Sequence, residues 1–168
     1  MTHLNIEIKA KSADNERVKA ILEAHSADFK GIDHQIDTYF KVQYGRLKLR
    51  EGNIENALIF YNRPNQAGPK QSDILLYQSK PHSTLKAILT QANGILKVVD
   101  KHRHIYFIKN VKFHLDMVQG LGSFVEIEAI DSDGSIGYDK LLEQCQYYMQ
   151  LFGIADGDLL TGSYSDYV

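Results

Sequence analysis

Residues 5–11 of this chain, NIEIKAK, alternate strictly between polar and apolar side chains. A period of two predicts a β-strand, because successive side chains of a strand point to opposite faces of the sheet. One face of this strand would be apolar, and the other would carry the carboxylate of Glu7 and the ammonium groups of Lys9 and Lys11. For a single strand, a charged face most often means a solvent-exposed face.

The same alternation recurs in four later segments, and this repetition changes the interpretation. The segments are GRLKLR at 45–50, DKHRH at 100–104, VKFHLD at 111–116 and FVEIEAI at 124–130. Lysine and arginine dominate several of these strands, although like charges on neighbouring strands repel each other. The acids of the alternating faces are confined to three strands: Glu7, Asp116, Glu126 and Glu128. This separation favours a site for a polyanion, which needs many cations, and for a divalent metal, which needs several carboxylates.

Turn residues and apolar periodicity divide the chain into about eight strands and three helices. Residues 64–72, PNQAGPKQS, are predicted to form a loop. The helix boundaries are expected at Ser12 or Asp14 for the first N-cap, at Ser83 and Asn93 for the second helix, and at Ser135 and Gly153 for the third.

The element order predicts a single α+β domain over residues 1–168. Because so many strands are joined by short turns, the mostly antiparallel sheet should be strongly curved or closed into a barrel. If the sheet closes, the charged face becomes the interior and the helices cover an apolar exterior.

The composition is that of an ordinary soluble globular protein, with 43% hydrophobic and 24% charged residues. A net charge of -2 does not indicate nucleic acid as a partner. The single cysteine, Cys145, excludes an intrachain disulfide.

The sequence has no apolar run that could serve as a signal peptide or a transmembrane helix, so we expect a cytoplasmic protein without a membrane partner. A phosphate-binding P-loop motif is also missing, and GLG at 120–122 lies between two strands and does not open a helix.

Several short motifs follow one another in the order found in CYTH proteins, the triphosphate tunnel metalloenzymes. They are the opening E-x-K, DTYF, GRLKLR, the GPK-x-SD loop, VVDKHR, HLD and GLGSFVEIE. The chain resembles this family from residue 5 to the C-terminal GSYSDY, and most of all its class IV adenylate cyclase-like branch. The resemblance implies an eight-stranded antiparallel closed barrel with a charged tunnel, about three helices packed outside, and a homodimer as one oligomeric state.

The resemblance also implies roles for individual residues. The catalytic residues would be Lys9, Lys48, Arg50 and Arg103. The substrate-binding residues would be Lys11, Arg63, Lys70, Lys101 and Lys112. The ligands of Mg²⁺ or Mn²⁺ would be Glu7, Asp116, Glu126 and Glu128.

Two positions depart from the family pattern. Asn5 stands where a glutamate is frequent, so one metal ligand loses its charge. Lys112 stands where an arginine is frequent, so bidentate contact with a phosphate is lost.

The resemblance implies an enzyme that acts on a small-molecule triphosphate, and it leaves two reactions open. One is the cyclisation of ATP to cyclic AMP and pyrophosphate. The alternative is hydrolysis of thiamine triphosphate, inorganic tripolyphosphate or a nucleoside triphosphate. A further alternative is a non-catalytic module that binds a phosphorylated ligand. His102 and His104 could hold zinc, but no cysteine or third histidine lies nearby in the sequence.

Overall fold

The computed structural model describes residues 2–168, with side chains from Leu4 onward. Over this range the chain forms eight β-strands, three α-helices and two short 3₁₀ helices. The strands are β1 (Thr2–Lys11), β2 (Asp28–Phe40), β3 (Arg46–Glu51), β4 (Asn56–Asn62), β5 (Lys70–Gln78), β6 (Ile95–Ile108), β7 (Val111–Val118) and β8 (Gly122–Asp131). The helices are α1 (Asn15–Ala24), α2 (Leu85–Ala92) and α3 (Tyr138–Phe152), followed by 3₁₀ turns at Asp156–Asp158 and Tyr164–Asp166.

The strands close into a barrel in the order β1-β5-β4-β3-β2-β6-β7-β8. All neighbouring pairs are antiparallel, and β1 joins the two ends of the sheet by pairing with both β5 and β8. The closed eight-stranded barrel with three helices is therefore confirmed. Closure also removes the exposed sheet edges that would otherwise invite intermolecular pairing.

At β1 the barrel presents its polar face to the interior and its apolar face to the exterior, as the alternation of this strand predicts. Ile6 and Ile8 are fully buried, and they belong to one apolar cluster with Leu141 and Cys145 of α3. Burial of each such aliphatic side chain contributes roughly 1.5–3 kcal/mol. Packing of α3 against the outside of β1 therefore directs the alternate positions, Glu7 among them, into the barrel.

The first helix begins as the sequence predicts. Asp14 is the N-cap of α1, and its carboxylate accepts a hydrogen bond of 3.0 Å from the backbone N–H of Arg17. This bond satisfies one of the N–H groups that the first turn of a helix leaves without a partner.

The expectation that Ser135 caps α3 is wrong. The helix begins two residues later, with Gly137 as its N-cap at a φ of 86°. The carboxylate of Asp131 accepts hydrogen bonds from the N–H groups of Gly134 and Gly137, both of 2.9 Å, and so organises the whole turn. A glycine is favoured at this cap because an L side chain would be strained at that φ.

The predicted loop at 64–72 is shorter in the structure, because β5 already begins at Lys70. Lys70 lies opposite Glu7 in the β1–β5 ladder. None of the helices in the described residues is long and apolar enough to cross a membrane.

The C-terminal segment, residues 159–166, contacts one end of the barrel. The N–H of Leu160 donates a hydrogen bond of 2.9 Å to the carbonyl of Lys9, near the end of β1. At the start of β3, Arg46 forms two hydrogen bonds to the carboxylate of Asp166. Tyr164 lies between these anchor points and is buried.

Candidate active site

A cavity inside the barrel collects charged side chains from many strands. Among the described residues, seven cations and four carboxylates line it. The cations are Lys9, Lys48, Arg50, Arg63, Lys101, Arg103 and Lys112, and the carboxylates are Glu7, Glu55, Glu126 and Glu128. The closure of the sheet explains this convergence, because it turns the polar faces of separate strands towards one another.

Three of the cations surround the buried carboxylate of Asp37. Arg50 donates two hydrogen bonds to it, of 2.9 and 2.8 Å, and Lys101 donates one of 2.6 Å. Lys48 lies 3.4 Å from the same carboxylate. Burial alone would raise the pKa of Asp37, but Arg50, Lys101 and Lys48 lower it well below its ordinary value. Asp37 is therefore ionised at neutral pH and holds the three basic side chains in place.

A second buried pair joins Arg103 to Asp116. The guanidinium donates two hydrogen bonds of 2.7 Å to the carboxylate, and the Tyr164 hydroxyl donates a third of 2.7 Å. Burial opposes ionisation, but Arg103 lowers the pKa of Asp116 to about 2. Because both of its oxygens are engaged, Asp116 acts here as the anchor of Arg103.

Two further ion pairs link cavity residues across the barrel. Arg63 contacts Glu7, and Lys112 contacts Glu55, which also lies 3.6 Å from Arg50. An incoming anion would compete with these carboxylates for the cations, because each cation can donate to either partner.

One group of side chains has the chemistry of a metal site. Ligand atoms of His114, Glu126 and Glu128 all lie within 4.8 Å of one another. The Asn5 amide donates a hydrogen bond of 2.5 Å to Glu128, so it orients this carboxylate. Carboxylate oxygens and imidazole nitrogens are common ligands of divalent ions, so the residues present fit the divalent metal that the resemblance implies.

Ten of the thirteen residues expected at the site from the sequence line this cavity, and three do not. Asp116 lies behind the lining and is bonded to Arg103. Lys70 is buried, and its ammonium donates to the carbonyls of Gln66 and Thr161. Burial lowers the pKa of Lys70 to about 8, and Arg63 and Lys9 add to this shift. Lys11 is exposed at the end of β1.

The structure adds four residues that the sequence did not single out as site residues: Asp37, Glu55, His114 and Tyr164. Asp37 belongs to the DTYF motif and His114 to the HLD motif, but neither motif by itself indicates a role for these residues. Glu55 and Asp37 also correct the expectation that the inward acids are confined to three strands. No local pattern identifies Tyr164, because its position depends on how the C-terminal segment crosses the barrel.

The position of Glu55 depends on the turn between β3 and β4. The buried Asp33 carboxylate accepts hydrogen bonds of 2.9 Å from the N–H groups of Ile54 and Glu55. Gly52 passes so close to this carboxylate that a Cβ would lie 2.6 Å from one of its oxygens. The turn thus requires a glycine, and it directs Glu55 towards Lys112 and Arg50.

Comparison with solved structures shows a widely shared fold. The PH1012 protein of Pyrococcus horikoshii OT3 superposes with a TM-score of 0.81 at 23% identity, over 98% of this chain and 99% of that one. A candidate adenylate cyclase from Vibrio parahaemolyticus has a TM-score of 0.74 at 16% identity, over 97% and 96% of the two chains.

A third similar structure is HpAC1 from Hippeastrum, a candidate adenylyl cyclase described as having a dominant triphosphatase activity. It has a TM-score of 0.59 at 13% identity, over 96% of this chain and 91% of that one. At such identities, the likeness shows the fold alone.

Among curated proteins, a sequence search finds no match to this chain. The sequence model of the CYTH domain, in contrast, matches residues 3–164. This match covers nearly the whole length and agrees with the closed barrel and its charged interior. The chain belongs to the CYTH domain family.

Proposed function

We propose that this chain is a metal-dependent enzyme that binds an organic triphosphate inside the barrel and cyclises ATP to cyclic AMP and pyrophosphate. The observation that carries the proposal is the convergence of seven cations on one cavity that also holds a carboxylate cluster. CYTH proteins are adenylate cyclase-like enzymes or triphosphatases, they bind triphosphates and they depend on metal ions.

The cations of the cavity are suited to binding phosphate oxygens. Arg50 and Arg103 are each fixed by a bidentate carboxylate partner, which leaves their remaining N–H groups available at a defined position. Lys9 is held by the ring of Tyr164, whose centroid lies 3.8 Å from the ammonium nitrogen. Such pre-positioned charges stabilise the negative charge of a transferring phosphoryl group without further reorganisation.

Three carboxylates of the cavity support a metal site. Glu7, Glu126 and Glu128 are the lining carboxylates that correspond to the family's acidic positions, and they lie on the adjacent strands β1 and β8. When bound, a divalent ion supplies charge neutralisation of the phosphate oxygens. Release of Glu7 from Arg63 would make both residues available, the first as a ligand and the second for phosphate.

One wall of the cavity favours an organic substrate over inorganic tripolyphosphate. Ala57 and Ile59 of β4, Ile74 and Leu76 of β5, and Ile54 of the preceding turn present apolar surface to the cavity. Phosphate oxygens gain nothing from such a wall, whereas the flat ring of a nucleobase or another heterocycle would be desolvated against it.

The second candidate function is hydrolysis of thiamine triphosphate, tripolyphosphate or a nucleoside triphosphate. It is supported by the overall likeness to HpAC1, a candidate cyclase described as mainly a triphosphatase. The two reactions can use the same cations and metal, and they differ in the nucleophile. In cyclisation, the ribose 3′-oxygen bonds to the α-phosphorus, the 3′-hydroxyl loses its proton and pyrophosphate leaves. In hydrolysis, water attacks the terminal phosphorus, the diphosphate part of the substrate leaves, and the transferred phosphoryl group becomes orthophosphate.

Product analysis distinguishes these candidates. The protein is incubated with Mg²⁺ or Mn²⁺ and with ATP, thiamine triphosphate or tripolyphosphate, and the products are identified by ³¹P NMR. We expect cyclic AMP and pyrophosphate from ATP. Orthophosphate together with the matching diphosphate product, without cyclic AMP, would instead establish the triphosphatase. Tight binding without turnover of any substrate would identify a binding module and would overturn both enzymatic candidates.

The apolar wall has its own test, the Ile59→Asn variant. We expect KM for ATP to rise about tenfold, while binding of tripolyphosphate changes much less, because only ATP would use the wall. Leu58→Asn is the matched control, since Leu58 is the neighbouring strand residue and does not line the cavity. Equal losses for ATP and tripolyphosphate in Ile59→Asn would contradict a role in substrate choice.

A further inference from the structure

The imidazole of His114 is an unusual feature of the barrel interior. His114 is 2% exposed, and within the described part of the chain neither of its ring nitrogens has a hydrogen-bond partner. Buried polar atoms are almost always hydrogen-bonded, because an unpaired one carries a desolvation cost that nothing offsets. We therefore expect this buried ring to bind a ligand other than a protein atom.

The strand register places this ring beside two carboxylates. His114 lies directly opposite Glu126 in the β7–β8 ladder, and Glu128 follows two residues later on the same face of β8. The three ligand atoms lie within 4.8 Å of one another, which is close enough for one ion to reach all three. The hydrogen bond from Asn5 fixes the direction of Glu128.

The other contacts of His114 and Glu126 with protein atoms are long. The Nδ1 atom of His114 lies 3.6 Å from Glu126, beyond hydrogen-bond distance. Lys9 and Arg103 approach Glu126 only to 3.5 and 3.7 Å. His114 and Glu126 are therefore not committed to a strong interaction with other protein atoms.

We propose that His114 is a metal ligand together with Glu126 and Glu128, and that its nitrogen shifts the preference of the site from Mg²⁺ towards first-row transition-metal ions. Mg²⁺ selects oxygen ligands, whereas an imidazole nitrogen suits the first-row ions from iron to zinc and is also accepted by Mn²⁺. This inference deepens the proposed function, since it concerns the metal of that site. Its test needs no substrate, so its failure is distinguishable from a failure to turn over triphosphates.

The experiment measures metal binding to the intact protein with Mn²⁺ as the probe. Pulsed electron paramagnetic resonance of the Mn²⁺-loaded wild type should show coupling to an imidazole nitrogen, and His114→Gln should lose it. Calorimetry should show Mn²⁺ affinity falling at least about tenfold in this variant, because removal of even an outer-shell partner costs 10–100-fold. Mg²⁺ affinity should change much less.

His102→Gln is the matched control, because His102 is an exposed histidine of the neighbouring strand β6. It should retain both the nitrogen coupling and the Mn²⁺ affinity. The wild-type spectrum alone can overturn the proposal, even if His114→Gln does not fold, by showing bound Mn²⁺ without nitrogen coupling. Coupling that persists in a folded His114→Gln, or equal losses of Mn²⁺ and Mg²⁺ affinity, would overturn it as well.

Discussion

Arg103 and Asp116 lie directly opposite each other on β6 and β7, and two hydrogen bonds of 2.7 Å join them inside the barrel. The pair fixes one of the cations expected to bind phosphate. It also makes the stability of the barrel depend on pH, because the carboxylate must stay ionised.

Replacing Asp116 with Asn should destabilise the protein by about 3–5 kcal/mol at pH 7, since the change leaves a buried arginine without its anion. The pKa of Asp116 is about 2 in the folded protein, below its ordinary value of 3.8. Its contribution to stability is therefore complete above about pH 4 and is lost as the pH falls towards 2. Urea unfolding should show that the difference in the free energy of unfolding between wild type and variant becomes smaller as the pH falls from about 4 to 2. A difference that stays constant from pH 7 to 2 would contradict this assignment.

Asp37→Asn should affect both stability and anion binding, because Asp37 forms ion pairs with Arg50, Lys101 and Lys48. We expect a lower thermal midpoint without ligand. We also expect a larger stabilisation by added tripolyphosphate than in wild type, since the anion would replace the lost charge. The control is Asp28→Asn, which removes an exposed partner of Lys30 and should change stability by no more than about 1 kcal/mol. If tripolyphosphate stabilises Asp37→Asn no more than it stabilises wild type, Asp37 does not neutralise these cations.

Much of the fold and of the cavity lining was accessible from the sequence. The strict alternation of β1 predicts which of its residues face α3 and which face the interior, and Ile6 and Glu7 follow that rule. Strand periodicity is reliable here because a slip of one residue would bury the wrong face along the whole strand.

The remaining features depend on contacts between residues distant in sequence. Asp37 and Lys101 meet only because β2 lies between β3 and β6 in the barrel order. Tyr164 reaches Asp116 across 48 residues of sequence. Residue type favours Ser135 as a helix cap, but the carboxylate of Asp131 organises the turn instead.

Gly52→Ala should destabilise the protein by roughly 1–3 kcal/mol, because the new Cβ would overlap the Asp33 carboxylate and displace the turn that carries Glu55. Gly157→Ala is the matched control: a Cβ there meets nothing within 4 Å, so stability should change by less than about 0.5 kcal/mol. Denaturant unfolding of the two variants measures both changes in the free energy of unfolding. Equal effects would mean that Asp33 does not constrain the turn.

Cys145 tests the packing of α3 on the barrel. Its thiol is fully buried, and burial raises its pKa to about 12. A thiolate-selective reagent should therefore fail to label the native protein and should label it fully after unfolding, because the thiolate is the reactive form. Rapid labelling under native conditions would show that α3 leaves the barrel surface readily.

The most direct test of a triphosphate site inside the barrel is calorimetric titration with tripolyphosphate in the absence of metal, where no turnover interferes. Wild type and Arg50→Gln are compared, with Arg17→Gln as a control that removes an arginine outside the cavity. We expect saturable binding to wild type and Arg17→Gln, and affinity at least about tenfold weaker in Arg50→Gln, which loses a buried bidentate cation. Equal affinity in all three proteins, or no binding to wild type, would contradict the assignment of this cavity to triphosphate.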